Sequence, residues 1–254
     1  MDPRAKILLL IAYIVLIFLV RNFYGFLAAG AFLVLAIIFA RVPILSVLKS
    51  VRAIIFIIII TFIINLFFHR EDDAVVYWSW WVVNITDMSI RFAAFMALRL
   101  VYLIFGSSLL TLTTTPVSLT DGIESLLKPL KLIRFPVHEL ALVMSIALRF
   151  IPTLMEETQR IINAQKARGA QFDSGNLFKK IKALLPVLIP LLVSSFRRAD
   201  ELGDAMDARC YSGSKNRTKY KKLRFTYRDL LATLVLAATF TGVILLNIYG
   251  VNVI

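Results

Sequence analysis

The sequence lacks the residues on which most enzyme and metal sites depend. Its only cysteine, Cys210, excludes an intramolecular disulfide bond and any metal cluster held by cysteines. The two histidines, His69 and His138, stand alone without metal-ligand spacing, and no His-Glu-x-x-His motif occurs. No Gly-x-x-x-x-Gly-Lys-Ser/Thr loop occurs either, so this chain has no nucleotide site of the P-loop type.

Acidic residues are scarce as well, and the charges are unevenly distributed. The 254 residues include 16 acidic and 29 basic side chains, which gives a formal net charge of +13. Hydrophobic residues make up 59% of the chain and the mean hydropathy is +0.79, values that exclude an ordinary water-soluble domain and indicate a membrane protein. Residues 113–225 nevertheless hold 19 of the basic and 10 of the acidic side chains. That segment is predicted to be a polar, basic module.

Five apolar runs predict an all-α membrane protein with about five transmembrane helices, since a spanning helix needs about 17 to 25 residues. The amino-terminal run has no small-residue cleavage site and is interpreted as an uncleaved first span. The predicted organisation is a membrane domain at 1–112 with four spans, a cytoplasmic module at 113–225 and a final transmembrane helix within 226–254. The five runs are 5–20, 23–40, 51–68, 92–112 and 229–249.

The distribution of charge predicts the orientation in the membrane. Lysine and arginine collect near the amino terminus, in the connection 41–52 and in the block 113–225, which the positive-inside rule places in the cytoplasm. The segment 69–91 combines acidic residues with tryptophan and tyrosine and is predicted to lie outside, at the level of the headgroups. Five spans then put the amino terminus inside and the carboxyl terminus outside. The basic run 215–224 is expected to contact anionic lipid.

Arg99 is the charged residue inside the fourth apolar run. Ionised side chains within spans often have a function. An arginine at this position can also face a neighbouring helix or extend its guanidinium towards the membrane surface. Both interpretations remain open for Arg99 at the level of the sequence.

The module 113–225 is predicted to contain two long helices, at 136–168 and 177–209, that are too polar to span a membrane. A short amphipathic helix ahead of them is suited to the membrane surface. Small residues near both helix ends are expected to let the long helices cross closely. These residues are Ala164, Ala167, Gly203, Ala205 and Ala208.

A short phrase occurs twice, once at the end of each long helix. The two copies are Ala164-Gln-Lys-Ala-Arg-Gly169 and Ala205-Met-Asp-Ala-Arg-Cys210. In each copy, alanines stand four residues and one residue before an arginine, so small side chains and one cation share a helix end. The repetition indicates two equivalent docking points, although alanine and arginine are both good helix formers and also meet by chance.

Three aspartates suggest a different function. Asp200, Asp204 and Asp207 have the spacing of one helical face. In a membrane prenyl-diphosphate transferase such a face would hold Mg²⁺ against phosphate oxygens. That chemistry usually needs a second acidic face, and the arginines interleaved with this set are expected to neutralise it instead.

The mixture of acidic and basic residues in the module 113–225 also favours a protein partner or lipid headgroups over nucleic acid.

Several segments of the module resemble the transmembrane T component of energy-coupling factor (ECF) transporters, the vitamin and micronutrient importers of prokaryotes. The resemblance is specific across 113–225 and only compositional in the apolar runs. Besides the two repeated phrases, the segments are Thr113-Thr-Thr-Pro116, Leu130 through Pro136-Val-His-Glu139, Ala147-Leu-Arg-Phe-Ile-Pro152 and Ser194-Ser-Phe-Arg-Arg-Ala199.

The resemblance implies an ABC-type importer of the prokaryotic cell membrane, in which this non-catalytic subunit joins two cytoplasmic ATPases to a membrane-embedded S component. It places ATP and Mg²⁺ on the ATPases, so this chain needs no cofactor of its own, and it leaves the choice of substrate to the S component. Cys210 stands where the family usually has glycine, and a side chain in the left-handed conformation costs about 1 kcal/mol or more. The ATPase-docking residues by matching position are Ala164, Ala167, Arg168, Gly169, Ala205, Ala208, Arg209 and Cys210.

The predicted orientation can be tested with the single thiol. Because Cys210 lies in the predicted cytoplasmic module, a membrane-impermeant maleimide should label it in inside-out vesicles and not in intact cells. Cys210→Ser is the control and should abolish labelling in both preparations. Labelling of intact cells would show that the predicted orientation is inverted.

Overall fold

The computed structural model describes residues 1–68, 76–80, 83–129, 135–170, 177–211, 213 and 225–249. The fold of this part of the chain is α-helical, as predicted, with a short β-hairpin in addition. The elements are α1 Pro3–Leu19, α2 Phe23–Ala40, α3 Ile44–Phe68, β1 Val76–Trp80, β2 Val83–Thr86, α4 Asp87–Thr113, α5 Pro116–Leu126, α6 Val137–Ala167, α7 Leu177–Ala208 and α8 Tyr227–Tyr249.

The β-hairpin lies within the segment predicted to be an external loop. Its strands are antiparallel, with Val76 opposite Thr86 and Trp80 opposite Val83. Thr86 also caps α4, because its hydroxyl accepts the backbone N–H of Ser89 at 3.1 Å. The fourth span therefore begins earlier than the apolar run alone indicated. His69 and the basic run 215–224 lie outside the described residues.

The chain divides into two compact units, one at residues 1–122 with 223–254 and the other at 123–222. The first unit is a helical bundle, in which the most deeply buried apolar side chains include Leu16, Ile17 and Phe95. The Phe26 ring lies 4.8 Å from that of Phe95, so α2 and α4 are held together by aromatic contact. Apolar side chains on the outer surfaces of these helices are exposed, Phe56 of α3 for example, as expected for surfaces that face lipid.

Length and composition allow α2, α4, α6 and α8 to cross a membrane, and α3 adds a fifth span if its two arms, which meet at 56°, are counted as one. The helix α1 has 17 residues, which agrees with the short predicted run and is at the lower limit for a span. One detail differs from the prediction. The helix α6 qualifies, although the module was predicted to be too polar, because its charged residues are concentrated in its second half.

Polar contacts join α1 and α8 at both ends, and this restricts the number of membrane crossings between them. The backbone N–H of Asp2 donates to the Asp229 carboxylate at 3.0 Å, which joins the starts of the two helices. The Asn247 side chain donates to the carbonyl of Leu19 at 2.7 Å, which joins their ends. The two helices are therefore parallel, and parallel spans must be separated by an odd number of crossings. The helices α2, α3 and α4 satisfy this condition, and a crossing by α6 alone would violate it.

Arg99 of α4 contacts the end of α1. Its guanidinium donates to the carbonyl of Val20 at 2.9 Å and lies 5.0 Å from the centre of the Phe95 ring. Val20 is the C-cap of α1, where carbonyl groups lack partners within the helix and a cation is favourable. The charge inside the predicted span thus holds two helices together.

A close approach of α1 and α4 at Gly106 generates a test of this packing. A Cβ atom on Gly106 would lie 2.5 Å from the Tyr13 ring, which is buried and therefore has little room to move. We expect Gly106→Val to destabilise the bundle by about 1 to 3 kcal/mol, because it overpacks this contact. The measurement is the thermal unfolding midpoint of the detergent-solubilised chain, which should fall by several degrees.

The matched control is Gly242→Val in α8. Apart from its chain neighbours and its own helix backbone, a Cβ atom on Gly242 would meet no described atom within 4 Å, so this variant should unfold at nearly the wild-type temperature. Equal midpoints for the two variants would contradict the close packing of α1 against α4.

Candidate functional site

The first repeated phrase forms the carboxyl end of α6. Gly169 follows the helix with a left-handed backbone at φ 88°, and its N–H donates to the carbonyl of Lys166 at 3.0 Å. The N–H of Ala170 donates to the carbonyl of Gln165 at 3.0 Å. These two bonds form a Schellman motif, in which the backbone itself satisfies the last carbonyl groups of the helix.

The second phrase closes α7 in the same way. Cys210 adopts the left-handed conformation at φ 57°, and its N–H donates to the carbonyl of Asp207 at 2.8 Å. The N–H of Tyr211 donates to the carbonyl of Met206 at 3.0 Å. The repetition in the sequence is therefore a repetition of backbone structure, and the cysteine takes the conformation that glycine adopts in the first copy.

Both helix ends present their side chains to solvent. Arg168 and Arg209 are exposed, and within the described part of the chain no carboxylate pairs with either guanidinium. The remaining members of the predicted set are exposed too, which leaves small residues beside each arginine. They are Ala164, Ala167, Gly169, Ala205, Ala208 and Cys210.

The prediction that small residues mediate the crossing of the two long helices is wrong. The small residues near both helix ends are exposed, and a Cβ atom on Gly203 would meet no described atom of another helix within 4 Å. The contact lies about three turns before the helix ends. There, the Glu157 carboxylate of α6 accepts a hydrogen bond from Ser194 of α7 and one at 2.6 Å from Arg198 of the same helix. Small residues allow two helices to approach closely, but α6 and α7 do not pack against each other through these residues.

Sequence reasoning missed the role of Glu157. Arg198 was expected to neutralise the aspartates of its own helix, whereas it pairs with a carboxylate of the other helix. The hydrogen bond from Ser194 is the main cause that lowers the pKa of the Glu157 carboxyl, and Arg198 acts in the same direction. The ionised form is therefore favoured, and the contact is present at neutral pH and is lost as the pH falls through this lowered pKa.

The three aspartates proposed for a magnesium site lie exposed on α7. Within the described residues, no three acidic, histidine or cysteine side chains are close enough to hold a metal ion, and this includes Asp200, Asp204 and Asp207. Their shared helical face is therefore a solvated surface. The prenyl-diphosphate alternative finds no support in this geometry.

Comparisons with known proteins agree with the resemblance found in the module. Residues 1–220 match the model of a family described as cobalt transport protein. The energy-coupling factor transporter transmembrane protein of Ruminiclostridium cellulolyticum is 50% identical over 246 residues, which cover 97% of this chain and 91% of that protein. The proteins of the same name from Clostridium kluyveri and Lactococcus lactis are 49% and 46% identical, over 92% and 91% of this chain and 86% of each relative.

The different residues at the two left-handed positions generate a prediction. Cys210→Gly should stabilise the end of α7 by about 1 kcal/mol, because it removes the cost of a side chain in this conformation. Gly169→Ala should destabilise the end of α6 by a similar amount for the same reason. Hydrogen–deuterium exchange of peptides that cover the two helix ends should slow in the first variant and accelerate in the second. Exchange rates that rise in both variants, or fall in both, would contradict the left-handed conformation of Cys210.

Proposed function

This chain belongs to the family of energy-coupling factor transporter transmembrane proteins, and we propose that it couples ATP hydrolysis by two cytoplasmic ATPase subunits to substrate uptake through a membrane-embedded S component. Its relatives are transporter subunits, and the chain is proposed to be a non-catalytic one. The observation that carries the proposal is the pair of exposed helix ends, which share one backbone structure and each present an arginine that pairs with no carboxylate among the described residues.

The chemistry of each helix end suits docking into a groove of another protein. A guanidinium presents a planar set of donors that can bind a carboxylate or main-chain carbonyls through two bonds at once. The alanines beside Arg168 and Arg209 add little bulk, so a partner's walls can approach the helix end closely. In this proposal, ATP and Mg²⁺ are held by the partners and not by this chain.

Two equivalent docking points match a partner with two equivalent subunits. When one helix end is bound, the second binds at a high effective concentration, because α6 and α7 belong to the same chain. Movement of the ATPases relative to each other would then displace the two helix ends. The remaining step, in which this displacement reorients an S component that carries a vitamin or another micronutrient, is proposed by analogy with the family.

Substitution of the two arginines tests the proposal. Arg168→Ala and Arg209→Ala should each weaken ATPase binding by about 2 to 5 kcal/mol, the usual cost of truncating one partner of a desolvated charged pair. The double variant should lose transport, because it also loses the advantage of two-point binding. Arg168→Lys and Arg209→Lys should retain little ATPase binding, since lysine lacks the planar set of donors. The measurements are co-purification of the ATPases and uptake into proteoliposomes.

Arg197→Ala is the matched control, since Arg197 is an exposed arginine of α7 outside the repeated phrase. It should leave ATPase binding and uptake unchanged. If the arginines serve only as favourable charges at helix ends, losses of about 0.3 to 1 kcal/mol are expected instead. A double variant that still binds its ATPases and transports at the wild-type rate would exclude the docking role.

A further inference from the structure

The helices α6 and α7 are joined by one carboxylate that receives two donors. Ser194 and Arg198 each donate to a different oxygen of Glu157. The two donors are four residues apart, so they lie on one face of α7. Because both carboxylate oxygens are engaged by donors one turn apart, the contact specifies which face of α7 meets Glu157 of α6.

This contact has the same spacing from both docking ends. Glu157 precedes Arg168 by 11 residues, and Arg198 precedes Arg209 by the same number. At a rise of about 1.5 Å per residue, each docking end lies about 16 Å beyond the contact along its own helix. The prolines inside the two helices, at 152, 186 and 190, all precede the contact, so neither of these arms contains a proline kink.

We propose that the contact of Glu157 with Ser194 and Arg198, called the clamp below, positions the two docking ends and transmits movement from one to the other. The inference rests on the proposed function, because only docked ends have movement to transmit. With arms of equal length, a rotation about the clamp displaces both ends by similar amounts.

The exposure of the clamp supports a positioning role more than a stabilising one. The side chains of Arg198 and Glu157 are 35% and 23% exposed, and ion pairs that water reaches contribute little to net stability. Their hydrogen bonds are nevertheless directional and specify one relative arrangement of the helices. Loss of the clamp is therefore expected to leave the helices formed and to loosen the geometry between them.

Distances between the two helix ends test the clamp in the full chain without partners. Spin labels on the native Cys210 and on Ala170→Cys report the separation of the two ends. The parent chain should give one narrow distance distribution, which Glu157→Ala should broaden. Glu156→Ala, at a neighbouring exposed carboxylate, is the control and should leave the distribution unchanged. Ser194→Ala, which removes one donor and no charge, should give an intermediate width.

The coupling ratio, which is the amount of substrate taken up per ATP hydrolysed, tests the same residues in the complete transporter. In proteoliposomes, Glu157→Ala should retain the ATPases but lower the substrate taken up per ATP hydrolysed several-fold. A purely structural role would reduce the amount of complex and leave this ratio unchanged. The charge-reversed pair, Glu157→Arg with Arg198→Glu, should restore both the ratio and the narrow distance distribution.

The two readouts separate the clamp from the docking function. A distance distribution that is the same in Glu157→Ala and in the parent chain overturns the clamp, even if the ATPases bind. A distribution that depends on the clamp, in a chain that binds no ATPase, upholds the geometry and overturns the proposed function. An unchanged ratio of uptake to hydrolysis in Glu157→Ala overturns the transmission of movement.

Discussion

A helix ends with carbonyl groups that have no partner inside the helix, and the way α6 and α7 satisfy theirs determines what the repeated motif can do. In both helices the backbone turns left-handed and donates its own N–H groups to these carbonyls. Neither arginine side chain is needed to cap its helix, so both guanidinium groups remain in solvent beside small residues. In both helices the main chain closes the helix end and the arginine side chain stays exposed, and the docking proposal needs both features.

The sequence predicted those features that neighbouring residues determine. The helical class, most of the spans and the two helix ends follow from local composition, and a repeated phrase of six residues produced a repeated backbone. The contact between α6 and α7 was not predictable in this way. Glu157 and Arg198 are 41 residues apart, and the charges around each of them offered closer partners. The small residues predicted a close contact at the helix ends. The hydrogen bonds of Glu157 instead join the two helices about three turns earlier.

The membrane topology shows the same limit. By length and composition alone, α6 is a better candidate span than α1. The parallel arrangement of α1 and α8 is a tertiary property, fixed by the contacts of Asp2 with Asp229 and of Asn247 with Leu19. With α1 counted as a span, that arrangement leaves no place for α6 as a single additional crossing beside α2, α3 and α4. Apolar content therefore indicates whether a helix is able to cross a membrane. Whether the topology allows that crossing depends on how the other helices pack.

The two proposed docking ends have the same backbone geometry but differ in backbone strain. Gly169 reaches the left-handed region without a steric cost, whereas Cys210 holds a side chain there at a cost of about 1 to 2 kcal/mol. A partner that binds only the ordered helix end stabilises it by mass action, and the less stable end responds most visibly. If both ends dock on one ATPase pair, part of the binding free energy at Cys210 goes into ordering α7. Equal geometry therefore does not imply equal affinity, and in the proposed mechanism the clamp makes the two ends act together.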